Sequence, residues 1–305
     1  MSRPLLLAAP IVFLLLWSAG FAIAKIGLQH AGPFTLLALR YVIAVLVLLP
    51  LVPLLKPAFP NSRAAWHIAV TGFFIQVAYF GLCYIAFKSG VSAGGVAIIV
   101  CLQPILVSLI APSLVGESVS RLRWIGLALG LTGAITVILA RSGVAHEPPL
   151  GVLCAVGGLI GMTAATLYEK RYGTTTHPVP ANLIQYAVGA AFTLPLALAT
   201  EGMQADWTPQ LFAVLAYLII GNSLVAITLL LAMIRAGEVA RVSALFYLVP
   251  PLSALFAWPL LGEAMPPLAW AGMALAGIGG GRHVLLGAEA VGFIQWAQQT
   301  GLGSM

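Results

Sequence analysis

Side chains able to hold a solute are few in this 305-residue chain, and they recur at helical spacing inside apolar runs. Gln76, Tyr79, Phe80 and Cys83 stand at i, i+3, i+4 and i+7, which places them on one face of a helix. Asn182, Gln185 and Tyr186 share a second face, and Trp17, Ser18 and Phe21 a third. Asn222 and Ser223 interrupt another apolar run; Gln103 precedes Pro104, and Tyr247 precedes Pro250 and Pro251. Amides, hydroxyls and phenols among aromatic rings suit an amphipathic ligand, bound by hydrogen bonds at one end and ring contact at the other. Each group alone could equally be glue between helices. Lys25, Arg40 and Lys88 fall near the ends of their runs. They either snorkel to a polar boundary or, for Lys25 and Arg40, turn inward and attract a substrate carboxylate.

The same inventory argues against catalysis. No His-Glu-x-x-His segment, mid-run pair of aspartates or Ser/His constellation occurs, and all five histidines lie near the ends of apolar runs or between them. Every Asp and Glu sits at a run end or in a loop, which favours a facilitator or exchanger over a tightly proton-coupled carrier. Cys83, Cys101 and Cys154 are odd in number and lack metal spacing, so they read as small buried apolar residues. The expectation is therefore no enzyme, no metal and no cofactor.

These groups must be positioned by helices in lipid. Charged residues make up 7% of the chain against 61% hydrophobic, whereas soluble domains carry about 25% charged residues. The net charge of +6 fits basic loops on the cytoplasmic side better than nucleic-acid binding, for no basic run with interleaved aromatics is present. About 20 apolar residues cross a bilayer, and ten such spans are expected: 5–27, 34–55, 65–87, 92–115, 122–140, 150–171, 180–200, 209–234, 241–261 and 267–286. With the N-terminus inside, ten Lys and Arg fall on the cytoplasmic side and four outside. This predicts a multi-pass protein of the inner (plasma) membrane with both termini cytoplasmic. Lipid and a small-molecule substrate are the expected partners, and ten spans in one chain make a monomer sufficient.

The chain also repeats itself. Gly90, Pro104 and Pro112 match Gly237, Pro251 and Pro259 at a constant offset of 147. Gly116-Glu117, Trp124 and Gly126 then match Gly262-Glu263, Trp270 and Gly272. More faintly, Lys25, Pro33 and Tyr41 match Lys170, Pro178 and Tyr186 at an offset of 145. The predicted architecture is all-α and integral to the membrane: ten helices as two five-helix repeats, about 1–145 and 146–290, with a tail over 291–305. An odd number of spans per repeat inverts the second copy, as in secondary transporters with a midplane site between repeats.

The twice-written P-x₇-P-x₃₋₄-G-E segment followed by W-x-G-x₆-G resembles the EamA-type repeat of the drug/metabolite transporter superfamily. The stretch W-S-A-G-F-A-I-A-K-I-G-L from Trp17 is similar to that family's first span. The resemblance implies export of amino acids or similar metabolites by alternating access. Multidrug efflux is the alternative, with a channel or an intramembrane enzyme behind it.

Interior prolines free carbonyls and bend spans. Pro104, Pro112, Pro250, Pro251 and Pro259 therefore mark two related spans as kinked cavity walls and moving parts, unless the kinks serve packing alone. Glu117 and Glu263 occupy equivalent turns, where they either cap the next helix or gate the cavity. Pro104→Ala or Pro251→Ala should lower transport rate more than membrane insertion, compared by flux per inserted molecule; the reverse pattern would assign the prolines to packing.

Overall fold

A computed structural model describes residues 3–91, 96, 99–100, 102–116, 121–141, 148–174, 176–236, 242, 244–261, 267–268, 270–271 and 274–275. The described residues are helical, with a lone antiparallel bridge between Ala31 and Ala205 and no longer strand. The helices are α1 (Arg3–Gly27), α2 (Pro33–Leu48, carried on by the short turn Leu51–Leu55), α3 (Ser62–Lys88), α4 (Gln103–Val115), α5 (Arg121–Arg141), α6 (Pro149–Tyr172), α7 (Pro178–Thr200), α8 (Pro209–Ala216 on through Ile227–Ala236) and α9 (Val249–Leu261). Six of them, α1, α2, α3, α6, α7 and α8, are long and apolar enough to cross a membrane. The expected tenth span and the tail lie mostly or wholly outside the described residues.

Local chemistry sets the starts. Pro33, Pro149, Pro178 and Pro209 each open a helix, where the absent N–H is not needed and φ is already helical. Asn61 caps α3 by accepting from the Ala64 N–H, and Thr208 caps α8 by accepting from the Leu211 N–H.

The contacts come in pairs across the sequence repeat. α1 packs on α8 as α6 packs on α3; α1 packs on α9 as α6 packs on α4; α2 meets α8 as α7 meets α3. At the centre α2 lies against α7, and Tyr41 and Tyr186 stack there, ring centroids 5.9 Å apart. Close approach is possible because Gly72 and Gly189 lack side chains. A Cβ on Gly189 would meet the Tyr41 ring at 2.7 Å, and one on Gly72 the Gln185 backbone at 2.8 Å.

Two features differ from the sequence expectation. First, α3 and α8 are not uniform: Phe73–Tyr79 and Tyr217–Ala226 wind as π-helix. This wider winding leaves carbonyls that lipid cannot satisfy. Tyr41 donates to the Gln76 carbonyl at 2.8 Å, and Tyr186 donates to that of Ser223. Second, Pro104 and the Pro250–Pro251 pair do not kink helix interiors. Pro104 lies in the first turn of α4, after a turn at Leu102, and Pro250 and Pro251 in the first turn of α9, after the 3₁₀ turn Ala244–Leu248. Of the five prolines singled out in the sequence, Pro112 and Pro259 are interior, and both face outward from the bundle.

One end of the bundle is fastened across the repeats. The Glu201 carboxylate accepts from the N–H groups of Phe34 (3.1 Å) and Thr35 (2.8 Å), capping α2 from the far end of α7. Gly32 makes room, since a Cβ there would lie 2.2 Å from that carboxylate. Beside it the Asp206 N–H donates to the His30 carbonyl at 2.8 Å, and the His30 ring meets the Gln210 amide at 3.1 Å. Glu201→Ala should cost about 1–2 kcal/mol, read as a lower thermal midpoint of the purified protein, with Glu201→Gln falling between the two; an unchanged midpoint would show that the cap carries no load.

Candidate functional site

Among the described residues, the seam between the two sets of helices holds one fully buried cation. Arg40 lies two turns inside α2, roughly 10 Å from its start at 1.5 Å per residue, and is 0% exposed. Its Nε donates to Ser223 Oγ at 2.6 Å, and Nη2 to Asn222 Oδ1 at 3.4 Å. The guanidinium sits 4.3 Å from the Phe80 ring centroid and 5.6 Å from that of Tyr41, positions in which ring faces attract a cation. The Tyr84 hydroxyl also faces it, yet Nη1 makes no hydrogen bond. The snorkelling reading fails for Arg40, because its side chain crosses to α8 instead of climbing to a boundary. Lys25 keeps to the last turn of α1, half-buried, where the helix dipole favours it.

Beside the guanidinium lies an aromatic crevice lined by Trp17, Phe21, Tyr79, Phe80, Cys83 and Asn222, among others. Phe80 and Asn222 are walls common to both. Trp17 stacks on Tyr79 (6.0 Å) and meets Phe246 edge-on (5.9 Å). The crevice offers ≈ 20 Å³ of free space, room for a water and little more. Trp17 and Tyr84 are 2% and 3% exposed, so neither belongs to an interfacial belt; Trp258, half-exposed, is free to serve there.

The predicted stripe on α3 is split. Tyr79, Phe80 and Cys83 line the crevice, but the π-helical winding turns Gln76 toward α7, where Gly189 admits it. Gln76 and Gln185 are each 0% exposed, and neither amide finds a partner for its nitrogen or its oxygen. Four such polar atoms inside a bundle are costly unless something else bonds them. Ser18 is equally buried and its hydroxyl unpartnered.

Other predicted residues are spent on packing or lie elsewhere. Gln103 donates to Thr166 on α6 at 3.2 Å, and Asn182 to Thr228 on α8 at 2.6 Å, which is helix–helix glue. Glu117 and Glu263 lie outside the described residues, as does the Tyr247 side chain. Glu169 keeps its expected place in the last turn of α6, yet it is 2% exposed and accepts from Thr71 at 3.0 Å. Tyr41 and Tyr84 stand beside Arg40 although the residue types alone did not select them; for Tyr41, adjacency to Arg40 and the match to Tyr186 were the available signals. Among the described residues no cluster of His, Cys, Asp and Glu could hold a metal.

The EamA-like transporter family matches residues 4–139 and again 149–280. The chain belongs to that family. It is similar to the "uncharacterized transporter YvbV" of Bacillus subtilis, 25% identical over 90% of this chain and 89% of the relative. It is similar also to a "probable amino-acid metabolite efflux pump" of Salmonella typhimurium, 23% identical over 87% and 90% of the two chains. A crystal structure covering 94% of this chain and 99% of its own superposes with a TM-score of 0.77 at 24% identity, and shows the fold. Family and helices together make this EamA member a multi-pass membrane protein of transporter type.

The unpartnered amides separate a binding role from a packing role. Gln76→Leu and Gln185→Leu remove unsatisfied groups, so each should leave thermal stability equal or raised while transport falls about tenfold, the equivalent of ~1.4 kcal/mol. Lost stability with unaltered transport would mark the amides as packing elements.

Proposed function

We propose that this EamA-family chain is a secondary-type transporter that exports amino acids or similar small amphipathic metabolites by alternating access. Ten spans form two inverted five-helix repeats, about 1–145 and 146–290, in the inner membrane with both termini cytoplasmic. Substrate occupies the seam between them, held by Arg40, Gln76, Gln185, Asn222 and Ser223 and by the rings of Trp17, Phe21, Tyr79 and Phe80. One observation supports this most: a polar cluster contributed by both repeats, Arg40 from one and Asn222 and Ser223 from the other, sits fully buried in the bundle. Intramembrane ionisable groups are functional by default, and midplane sites between repeats are the rule in inverted-repeat carriers. The amino-acid efflux name of the Salmonella relative agrees with a carboxylate partner for Arg40.

The interrupted helices before Pro104 and Pro251 serve as hinges, since a break in a span leaves two rigid halves free to tilt. The fastened end around Glu201 would then be one gate, released when the other closes. Purified protein in liposomes should give saturable uptake of labelled amino acids or their derivatives, accelerated by the same solute on the far side. Non-saturating flux would point to a channel, and chemical change of the solute to an enzyme.

A further inference from the structure

Among the described residues the charge in the seam is one-sided. Arg40 carries a full positive charge with no exposure, and its partners, Asn222, Ser223, Phe80, Tyr41 and Tyr84, are all neutral. Among the described residues no carboxylate pairs with it: Glu201 caps α2, and Glu169 bonds Thr71. A desolvated charge is tolerable only when compensated. A zwitterion brings equal positive and negative charge and leaves the seam with a net charge of one. A monoanion leaves it neutral. An ammonium placed beside the carboxylate would meet no anion of its own here.

The two glutamines extend the reading. The backbone carbonyl of Gln76 accepts from Tyr41, the neighbour of Arg40 in sequence. Gln185 precedes Tyr186, which bonds Ser223, itself a ligand of Arg40. Each side-chain amide retains a free donor and a free acceptor. A secondary amide, with one C=O and one N–H, complements such a pair, whereas an ammonium offers donors only. The rings of Trp17, Phe21, Tyr79 and Phe80 supply an apolar wall.

We infer that the seam selects monoanionic carboxylates lacking a free ammonium, with N-acylated apolar amino acids as the fitting class: carboxylate to Arg40, acyl amide to Gln76 and Gln185, side chain to the aromatic crevice. This rests on the transporter reading and narrows its substrate. Binding to the purified full-length protein is measured with four probes: N-acetyl-leucine, leucine, isocaproate (the acid without nitrogen) and N-acetyl-leucine amide (no carboxylate). N-acetyl-leucine should bind at least tenfold tighter than leucine and than the amide, with isocaproate between. Arg40→Gln should abolish the preference for the anion over the amide. Should that variant fold poorly, Asn222→Asp provides an internal counter-ion at the same place and should weaken N-acetyl-leucine binding at least tenfold. Equal or tighter binding of leucine, anion binding indifferent to both substitutions, or no binding of any carboxylate would overturn the inference. Saturable counterflow of leucine in liposomes under those outcomes would leave the transporter reading standing, and absence of counterflow for every solute would remove it as well.

Discussion

A guanidinium removed from water must be paired or surrounded, and the centre of this bundle is built around that requirement. In lipid neither solvent nor headgroup reaches Arg40, so its charge is held by two hydrogen bonds from α8 and by aromatic faces from α2 and α3. These contacts determine where α8 must approach α2, and they make the π-helical stretch Tyr217–Ala226 useful, because it brings Asn222 and Ser223 to the guanidinium together. The same stretch exposes the Ser223 carbonyl, which Tyr186 covers, and the matching stretch on α3 exposes that of Gln76, which Tyr41 covers. One buried charge and two irregular helices thereby form a single hydrogen-bonded unit across α2, α3, α7 and α8.

The resulting site is incomplete as it stands. Among the described residues Arg40 has no counter-ion, and the amides of Gln76 and Gln185 have no hydrogen-bond partners. Buried polar groups in proteins are paired by protein or by water. The crevice offers ≈ 20 Å³ of free space, and the end around Glu201 and His30 is fastened by hydrogen bonds across the repeats. A solute large enough to satisfy Arg40 and the glutamines could enter only after helices part. Pro104 and Pro251 lie in the first turns of α4 and α9.

Much of this was legible in the sequence. Six of the spans were, because apolar length is a direct consequence of bilayer thickness, and described helix ends such as Gly27, Thr200 and Leu261 fall where hydropathy and turn residues place them. The inward direction of Ser18, Gln76, Gln185, Asn222 and Ser223 was legible too, since lipid leaves polar groups no alternative. The fate of Arg40 was not: a basic residue seven positions into a helix can reach a boundary or cross the bundle, and only packing decides. The π-helical winding left no signature in residue spacing, so the α3 stripe was read as one face when its register changes after Gln76. The burial of Glu169 depends on α3 lying over the end of α6, a tertiary fact. Gln103 and Asn182 show the converse, polar residues of the right type consumed by Thr166 and Thr228.

The central claim is that the seam around Arg40 opens to each side of the membrane in turn. Its most direct test is alkylation of Ser223→Cys, in a chain with Cys83, Cys101 and Cys154 replaced, by a membrane-impermeant thiol reagent offered from one face at a time. A seam that alternates will react from both faces, without leak of the reagent across the membrane, and more slowly when transported solute fills the site. A cysteine that stays inert from both faces, or reacts from one face only whatever solute is present, would contradict it.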